Sequence, residues 1–195
     1  MSKSEQLEEL YISYKTEFAD KIIVFGEGNI NAGILLIGEA PGKEEIKLLK
    51  PFVGAAGKNL NEFIKLLEVD REELYITNTI KYRLSKVDPK SERMSNRPAK
   101  KREIEMNMNY LHKEIEIISS KFIITLGNVP LRAVMKDEKK TIGELHGKPL
   151  EVLINGSSFT LFPLYHPASI IYNKSIKDVY IDDINRLKLL ISGNT

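Results

Sequence analysis

The 195-residue sequence contains no cysteine. Disulfides, thiolate metal sites, iron-sulfur clusters held by cysteine and cysteine nucleophiles are therefore excluded. Long apolar runs are also missing, since none approaches the roughly 20 residues that a membrane helix needs. Nothing at the N-terminus has the pattern of a signal or transit peptide. We therefore expect a soluble protein that works in the cytoplasm without membrane attachment.

Neither sign of charge is in clear excess, because 29 Lys and Arg face 27 Asp and Glu, a net charge of +2. Such a balance does not by itself indicate a nucleic-acid partner. The cations are locally dense between Lys81 and Arg102, however, so the average hides a basic segment. The length suits one domain, and we expect residues 1–195 to form it.

Helix-like and strand-like patterns alternate along the chain. Three short aliphatic runs, AGILLIG, ELYITNTI and KFIITLG, are typical of buried parallel strands. Asn155-Gly156 predicts a type I′ hairpin between PLEVLI and SFTLFPLYHP. Helical periodicity marks EQLEELYISYKTEF, GKNLNEFIKLLEV, KKREIEMNMNYLHKEIEIISS, NVPLRAVM and SIKDVYIDDINRLKLLI. Residues 81–98 show neither pattern and are expected to be a loop. The order predicts a three-layer α/β/α sandwich around a central, mainly parallel sheet.

Glycines are concentrated after the first predicted strand, in GEAPGKEEIKLLKPFVGAAG. The stretch matches no phosphate-binding pattern, and its glutamates would repel an anion. A divalent cation held by Glu39 and Glu45 is disfavoured because hard cations prefer more oxygen ligands, so we expect no metal and no other cofactor. Phe52 lies on a loop followed by small residues, where a nucleobase can stack. The alternative is a plain turn with Phe52 in the core.

Three polar clusters, GEAPG, TNT and LYHPAS, follow predicted strands, and ligands bind at the carboxyl ends of strands in parallel sheets. With VFGEGN, YITNTIKYR and FIITLGN, they resemble, in order and spacing over nearly the whole chain, the iron-sulfur-type (family 4) uracil-DNA glycosylases. The resemblance implies a DNA repair enzyme that flips uracil out of DNA and hydrolyses the N-glycosidic bond. It also implies a uracil-containing DNA partner and a location with the nucleoid, and we expect a monomer.

The resemblance assigns the base-binding residues. Phe52 has the position that stacks the uracil ring, and Asn78 matches the asparagine that reads the base edge, its amide accepting from N3–H and donating to O4. Ala40 stands in the first motif where related enzymes place an aspartate, so an aspartate cannot activate water from that position.

The resemblance assigns the catalytic residues as well. His166 matches the histidine that donates to O2 of the leaving base. Glu39 and Glu45 match the two acidic positions of the first motif, and which of them orients water or stabilises the sugar cation stays open. We expect no lysine nucleophile in these motifs, hence a monofunctional enzyme that leaves an abasic site.

DNA contacts are expected from two segments. Ala168, Ser169 and Ile170 correspond to the loop that the family inserts into the duplex. Basic side chains after residue 81 can follow the DNA backbone, although a solvated charged loop and helix start is an equal alternative; they are Lys86, Lys90, Arg93, Arg97, Lys100, Lys101 and Arg102.

The sequence also departs from the family. Tyr11, Tyr14, Tyr82 and Asn107 stand where the cluster cysteines belong, which predicts a cluster-free relative whose N-terminal helix packs against the segment around Tyr82. Tyr172 replaces a frequent arginine. Residues 46–49 also differ, which leaves two alternatives open: a glycosylase for another deaminated base such as hypoxanthine, or a catalytically weak protein that binds damaged DNA.

Overall fold

A computed structural model of the chain describes residues 1–169 and 174–193. Its central sheet has six strands in the order β1-β3-β2-β6-β8-β7, and a separate ribbon pairs β4 with β5. The strands are Glu27–Gly28 (β1), Ile34–Gly38 (β2), Leu74–Asn78 (β3), Ser85–Val87 (β4), Met94–Asn96 (β5), Phe122–Leu126 (β6), Leu150–Ile154 (β7) and Ser157–Leu164 (β8).

The four inner strands are parallel, and both edge strands, β1 and β7, run antiparallel to their neighbours. The predicted mainly parallel sheet is therefore confirmed. The predicted hairpin is confirmed too, because Asn155 and Gly156, with φ of 50° and 90°, connect β7 to β8 in the left-handed conformation that a type I′ turn requires.

The helices flank this sheet. They are Lys3–Glu17 (α1), Lys43–Leu48 (α2), Ala55–Leu67 (α3), Lys101–Ile118 (α4), Asn128–Met135 (α5), Ile142–Leu145 (α6) and Lys177–Ser192 (α7). The five helical segments predicted from periodicity are all present. Among the described residues, no helix is long and apolar enough to cross a membrane.

Two apolar clusters lie on opposite faces of the sheet and establish the three layers. Side chains of α1, α4 and α5 pack on one face, for example Leu111 and Leu131 against Leu35. Side chains of α3 and α7 pack on the other, for example Phe63 and Ile184. β2, β3 and β6 are buried along their whole length, which explains why their sequences are mostly apolar without alternation, whereas β8 begins exposed at Ser157 and Ser158.

A third cluster confirms the predicted packing of the N-terminal helix. Tyr14 of α1 and Phe18, which directly follows α1, share a buried cluster with Tyr82, whose ring centroid lies 5.2 Å from that of Phe18. The Tyr14 hydroxyl donates to Asn107, and the Asn107 amide donates to the Tyr82 hydroxyl at 3.4 Å. An iron-sulfur cluster does not fit this position, because no thiolate is present and hydrogen-bonded side chains fill the space.

The prediction of a loop over residues 81–98 was wrong in part. Two three-residue strands, β4 and β5, form an antiparallel ribbon there, with Val87 paired to Met94. Both strands are exposed, so no apolar alternation distinguishes them in sequence. The glycine stretch likewise contains the short helix α2.

Candidate active site

A cavity of about 620 Å³ opens where β2, β3 and β8 end, at the carboxyl edge of the parallel strands. Its volume lies within the roughly 300–1,000 Å³ of ligand pockets. All six residues that the sequence predicted for catalysis and base binding line it: Glu39, Ala40, Glu45, Phe52, Asn78 and His166. The structure therefore brings together three motifs that are far apart in sequence.

Gly38, the last residue of β2, allows Phe52 and Asn78 to approach each other. A Cβ atom at Gly38 would lie 2.5 Å from both Phe52 Cζ and Asn78 Oδ1, closer than atoms pack. Phe52 itself has φ of 53°, a conformation rare for an aromatic residue. Gly57 leaves space for the main-chain carbonyl oxygen of Phe52, since a Cβ atom at Gly57 would lie 2.0 Å from that oxygen.

Glu45 holds the loop that carries Phe52. Its carboxylate is 6% exposed and accepts three backbone N–H groups, from Gly42 at 3.1 Å, Val53 at 3.0 Å and Gly54 at 2.7 Å. These bonds tie the start of α2 to the residues after Phe52. Because its oxygens are engaged in this way, Glu45 is placed to shape the pocket.

Glu39 has a different environment. Its Oε1 accepts the N–H of Ala99 at 3.0 Å, while no described residue hydrogen-bonds to its Oε2. Its main-chain carbonyl accepts from Ile80 N–H at 3.0 Å, which fixes the chain beside Asn78. The side chain is half-buried in the pocket wall, so one carboxylate oxygen is available to a ligand or a water.

His166 follows β8, and its ring is a neutral donor. Burial lowers the pKa of His166, which favours the uncharged imidazole. Nδ1 accepts the N–H of Ala168 at 3.2 Å, so the single ring proton of the neutral form lies on Nε2. Ser169 N–H donates to the His166 carbonyl at 2.8 Å and completes the turn.

The residues predicted to contact DNA are only partly placed. Ala168 and Ser169 form the turn after His166, whereas Ile170 lies outside the described residues, as does Tyr172. Lys101 forms an ion pair with Glu138 at 2.8 Å. Lys100, which lies just before α4, is exposed.

Sequence reasoning missed part of the pocket wall. Asn96, Arg97 and Pro98, at the base of the β4–β5 ribbon, line the cavity, as does Lys43 at the start of α2. Arg97, one of the basic residues predicted to follow the DNA backbone, forms two hydrogen bonds with Glu103, at 2.5 and 2.8 Å. A run of turn formers, Asp88-Pro89-Lys90-Ser91, was the one local signal that a ribbon begins here.

Comparisons with known proteins agree with this geometry. A family model described as the uracil DNA glycosylase superfamily matches residues 25–187. The chain is 38% identical over 177 residues to a type-4 uracil-DNA glycosylase of Saccharolobus solfataricus, which covers 89% of this chain and 78% of the relative. It is 33% identical over 165 residues to that of Archaeoglobus fulgidus (83% and 78%) and 32% over 171 residues to that of Thermotoga maritima (87% and 83%). The chain belongs to the uracil DNA glycosylase superfamily.

Proposed function

We propose that this protein is a DNA N-glycosylase that flips uracil out of DNA and removes it by hydrolysis, leaving an abasic site. One observation carries the proposal: Phe52, Asn78, Glu39 and a neutral His166 share one pocket of about 620 Å³. The three relatives reported above, at 32–38% identity, are named type-4 uracil-DNA glycosylases. A stacking ring beside three glutamates suits an uncharged base better than a phosphate.

Uracil recognition rests on Phe52 and Asn78. The ring of Phe52 stacks on the extruded base and replaces the neighbours that the base leaves in the duplex. The amide of Asn78, which is 3% exposed, accepts from uracil N3–H and donates to O4. Cytosine presents the reverse pattern at these atoms, so it would leave buried polar groups unpaired and be rejected.

Departure of the base is assisted by His166. Negative charge develops on uracil O2 as the glycosidic bond breaks, and a donor aimed at that oxygen stabilises it. The hydrogen bond from Ala168 to Nδ1 leaves the Nε2 proton for this purpose. The turn formed by Ala168 and Ser169 thereby sets the tautomer of the catalytic ring.

The two carboxylates have separate roles in this proposal. Glu39 orients the attacking water and stabilises the cationic sugar, because its Oε2 is free of described partners. Glu45 is a positioning residue, because its oxygens accept three backbone N–H groups around Phe52. The motif alone leaves this choice open, and the hydrogen bonds of the two carboxylates support the division.

The reaction stops at the abasic site. Strand cleavage by a glycosylase needs an amine nucleophile. Lys81 is buried and paired with Glu114, so its amine is not available, and Lys43, an exposed residue at the rim of the pocket, is the lysine to test. Borohydride trapping of a covalent DNA adduct by wild type, lost in Lys43→Gln, would contradict this part of the proposal.

In this proposal the chain forms a single domain and acts as a monomer. It works in the cytoplasm on the DNA of the nucleoid, which is its uracil-containing substrate. The predicted contacts of Ala168, Ser169, Ile170, Lys100 and Lys101 with the duplex belong to the same proposal. Removal of hypoxanthine is less well supported, since no relative with that specificity stands among the matches above.

A single assay tests the proposal. The protein is incubated with otherwise identical duplexes that contain uracil, hypoxanthine or cytosine, and abasic sites are then cleaved with alkali. We expect cleavage with uracil alone. Asn78→Ala and His166→Ala should each lower the rate about 10²–10³-fold, the loss typical of one transition-state donor. Wild-type rates in both variants would refute the site, and no cleavage of any duplex would refute the activity.

A further inference from the structure

The β4–β5 ribbon rises from the rim of the pocket. At its base, Arg83 Nε donates to Asn96 Oδ1 at 2.8 Å, and Arg97 N–H donates to the Leu84 carbonyl at 3.1 Å. Asn96 and Arg97 both line the cavity. The ribbon is therefore fixed at one end beside the place where an extruded base would enter.

The far end of the ribbon is an ordered turn. Asp88 Oδ1 accepts the N–H groups of Lys90 and Ser91 at 2.8 and 3.0 Å, and Asp88 N–H donates to the Arg93 carbonyl at 2.9 Å. These bonds present the side chains of the turn in a defined arrangement.

One face of the ribbon carries an exposed apolar pair, next to the polar pair Ser85 and Asn96. Val87 and Met94 are direct cross-strand partners, and 57% and 56% of their surfaces are exposed. Met94 shares its face with Asn96, since residues two apart in a strand point the same way. Asn96 Nδ2 lies 3.6 Å from where a Cβ of Gly42 would be, so this face is turned toward the pocket mouth.

The ribbon lies within the basic segment of the chain. Residues 83–97 contain five Lys and Arg against two Asp and Glu, a net charge of +3, whereas the whole chain carries only +2. Within the described parts of the chain, no carboxylate lies within ion-pair distance of Lys86, Lys90 or Arg93. Three unpaired cations beside an exposed apolar pair suit the phosphates and bases of a nucleic acid.

The dimensions agree with a DNA strand that enters the pocket. At about 3.3 Å per residue, Met94 lies about 7 Å from Asn96 and Arg93 about 10 Å. Nucleotides of one strand are spaced about 3.4 Å apart along the helix, so a strand that follows the ribbon would bring Met94 and Arg93 about two and three nucleotides from the one beside Asn96.

We propose that the β4–β5 ribbon is a DNA-binding arm, in which Val87 and Met94 pack on the strand beside the extruded nucleotide and Lys86, Lys90 and Arg93 pair with its phosphates. The choice of DNA as the occupant rests on the proposed function, on the charge of the arm and on its continuity with the pocket. A second copy of the chain is the competing occupant and is an outcome of the test below.

Binding is measured by fluorescence anisotropy over a range of NaCl concentrations, with an undamaged duplex and a duplex that carries one stable abasic analogue. Lys90→Gln/Arg93→Gln should reduce the slope of log K against log salt by about 1.8, since each phosphate contact contributes about 0.9. Val87→Ser/Met94→Ser should weaken binding about tenfold with an unchanged slope, as for the loss of buried apolar area.

Matched controls remove the same kinds of side chain elsewhere. Lys113→Gln/Lys139→Gln changes charge equally at exposed positions outside the pocket wall, and Ile12→Ser/Leu153→Ser removes two exposed apolar side chains. Both controls should bind like wild type. Thermal unfolding checks that each variant folds. If Val87→Ser/Met94→Ser does not fold, the salt slope of Lys90→Gln/Arg93→Gln still tests the proposal.

Arm variants that bind like the controls would overturn the proposal. So would a wild-type dimer, seen by sedimentation, that Val87→Ser/Met94→Ser dissociates without changing DNA affinity. The proposed function is tested independently of the arm. If wild type releases no uracil but the arm variants alter the salt slope as expected, the DNA-binding arm is supported and the glycosylase activity is refuted.

Discussion

The ammonium group of Lys81 lies 2.6 Å from the main-chain carbonyl of Asn78. The same nitrogen donates to Thr77 Oγ1 at 2.8 Å and to Glu114 Oε2 at 2.6 Å, so its three protons have three acceptors. Lys81 is 2% exposed and Glu114 is fully buried. A buried ion pair therefore supports the backbone of the proposed base-reading residue from below the pocket.

This support extends to a position where the family's cluster would bind. The Tyr11 hydroxyl donates to Glu114 Oε1 at 2.6 Å and also lies 2.6 Å from the Tyr75 hydroxyl. Burial, reinforced by the Glu114 carboxylate, raises the pKa of Tyr11 far above its ordinary value, so the hydroxyl remains a donor. A chain of hydrogen bonds thus connects α1 to Asn78 in a protein that has no cluster.

Removing the ammonium should be costly. Lys81→Met leaves the Glu114 charge buried and unpaired, and we expect a loss of about 3–5 kcal/mol in the free energy of unfolding. Thermal unfolding should show a melting temperature lower by roughly 6–20 °C for a chain of this size. Lys113→Met makes the same substitution at an exposed site and should change little.

A double variant separates stability from positioning. Lys81→Met/Glu114→Leu removes both charges, so most of the lost stability should return. Uracil release should stay impaired, because the Asn78 carbonyl still lacks its donor. If the double variant recovers both the melting temperature and the wild-type kcat, Lys81 has no positioning role.

The central strands and five of the helices were predicted because each has a local signature, an apolar run or a helical period. The six lining residues were assigned through motifs that the sequence shares with a known family. Lys81 has no such signature. Lys81 lies in a segment rich in cations, where a lysine is expected to be a surface residue. Its partner Glu114 is 33 residues away along the chain, so no local pattern indicates the ion pair.

The two glutamates of the pocket should respond differently to the same substitution. Glu45→Gln exchanges one acceptor oxygen for a donor that faces a backbone N–H, and we expect a loss of about 1–3 kcal/mol in stability. Glu39→Gln keeps an oxygen for Ala99 and should unfold like wild type, while kcat for uracil release falls about 10²–10⁴-fold. Normal kcat in a folded Glu39→Gln protein would exclude Glu39 from the chemistry.

Stability should decline between neutral and mildly acidic pH. Burial lowers the pKa of both His112 and His166, so the unfolded chain takes up protons first as the pH falls through about 6.5. The free energy of unfolding should therefore fall below pH 6.5, by up to about 1.4 kcal/mol per pH unit for each histidine, until the lower folded-state pKa is passed.

Denaturant titrations between pH 7.5 and 5.5 measure this dependence. His112→Gln removes one of the two groups and should flatten the slope by up to half, although it weakens the hydrogen bond to the Ala133 carbonyl. The carboxylate of Glu103, whose pKa is lowered by Arg97, titrates below this window and does not interfere. An unchanged slope in His112→Gln would contradict the assignment.

Gly38→Ala tests the contact between the stacking and reading residues with the smallest change. The added methyl would lie 2.5 Å from both Phe52 and Asn78, and both side chains would have to move out of their present geometry. Such overpacking costs about 1–3 kcal/mol, so the variant should fold with a lower melting temperature. We expect kcat/KM for uracil release to fall about 10²-fold or more, because a displacement near 1 Å has that effect on a reacting geometry.

Gly33→Ala, where a Cβ would meet nothing within 4 Å, is the matched control and should retain wild-type activity. Full activity in Gly38→Ala would show that the pocket is formed by residues other than this pair.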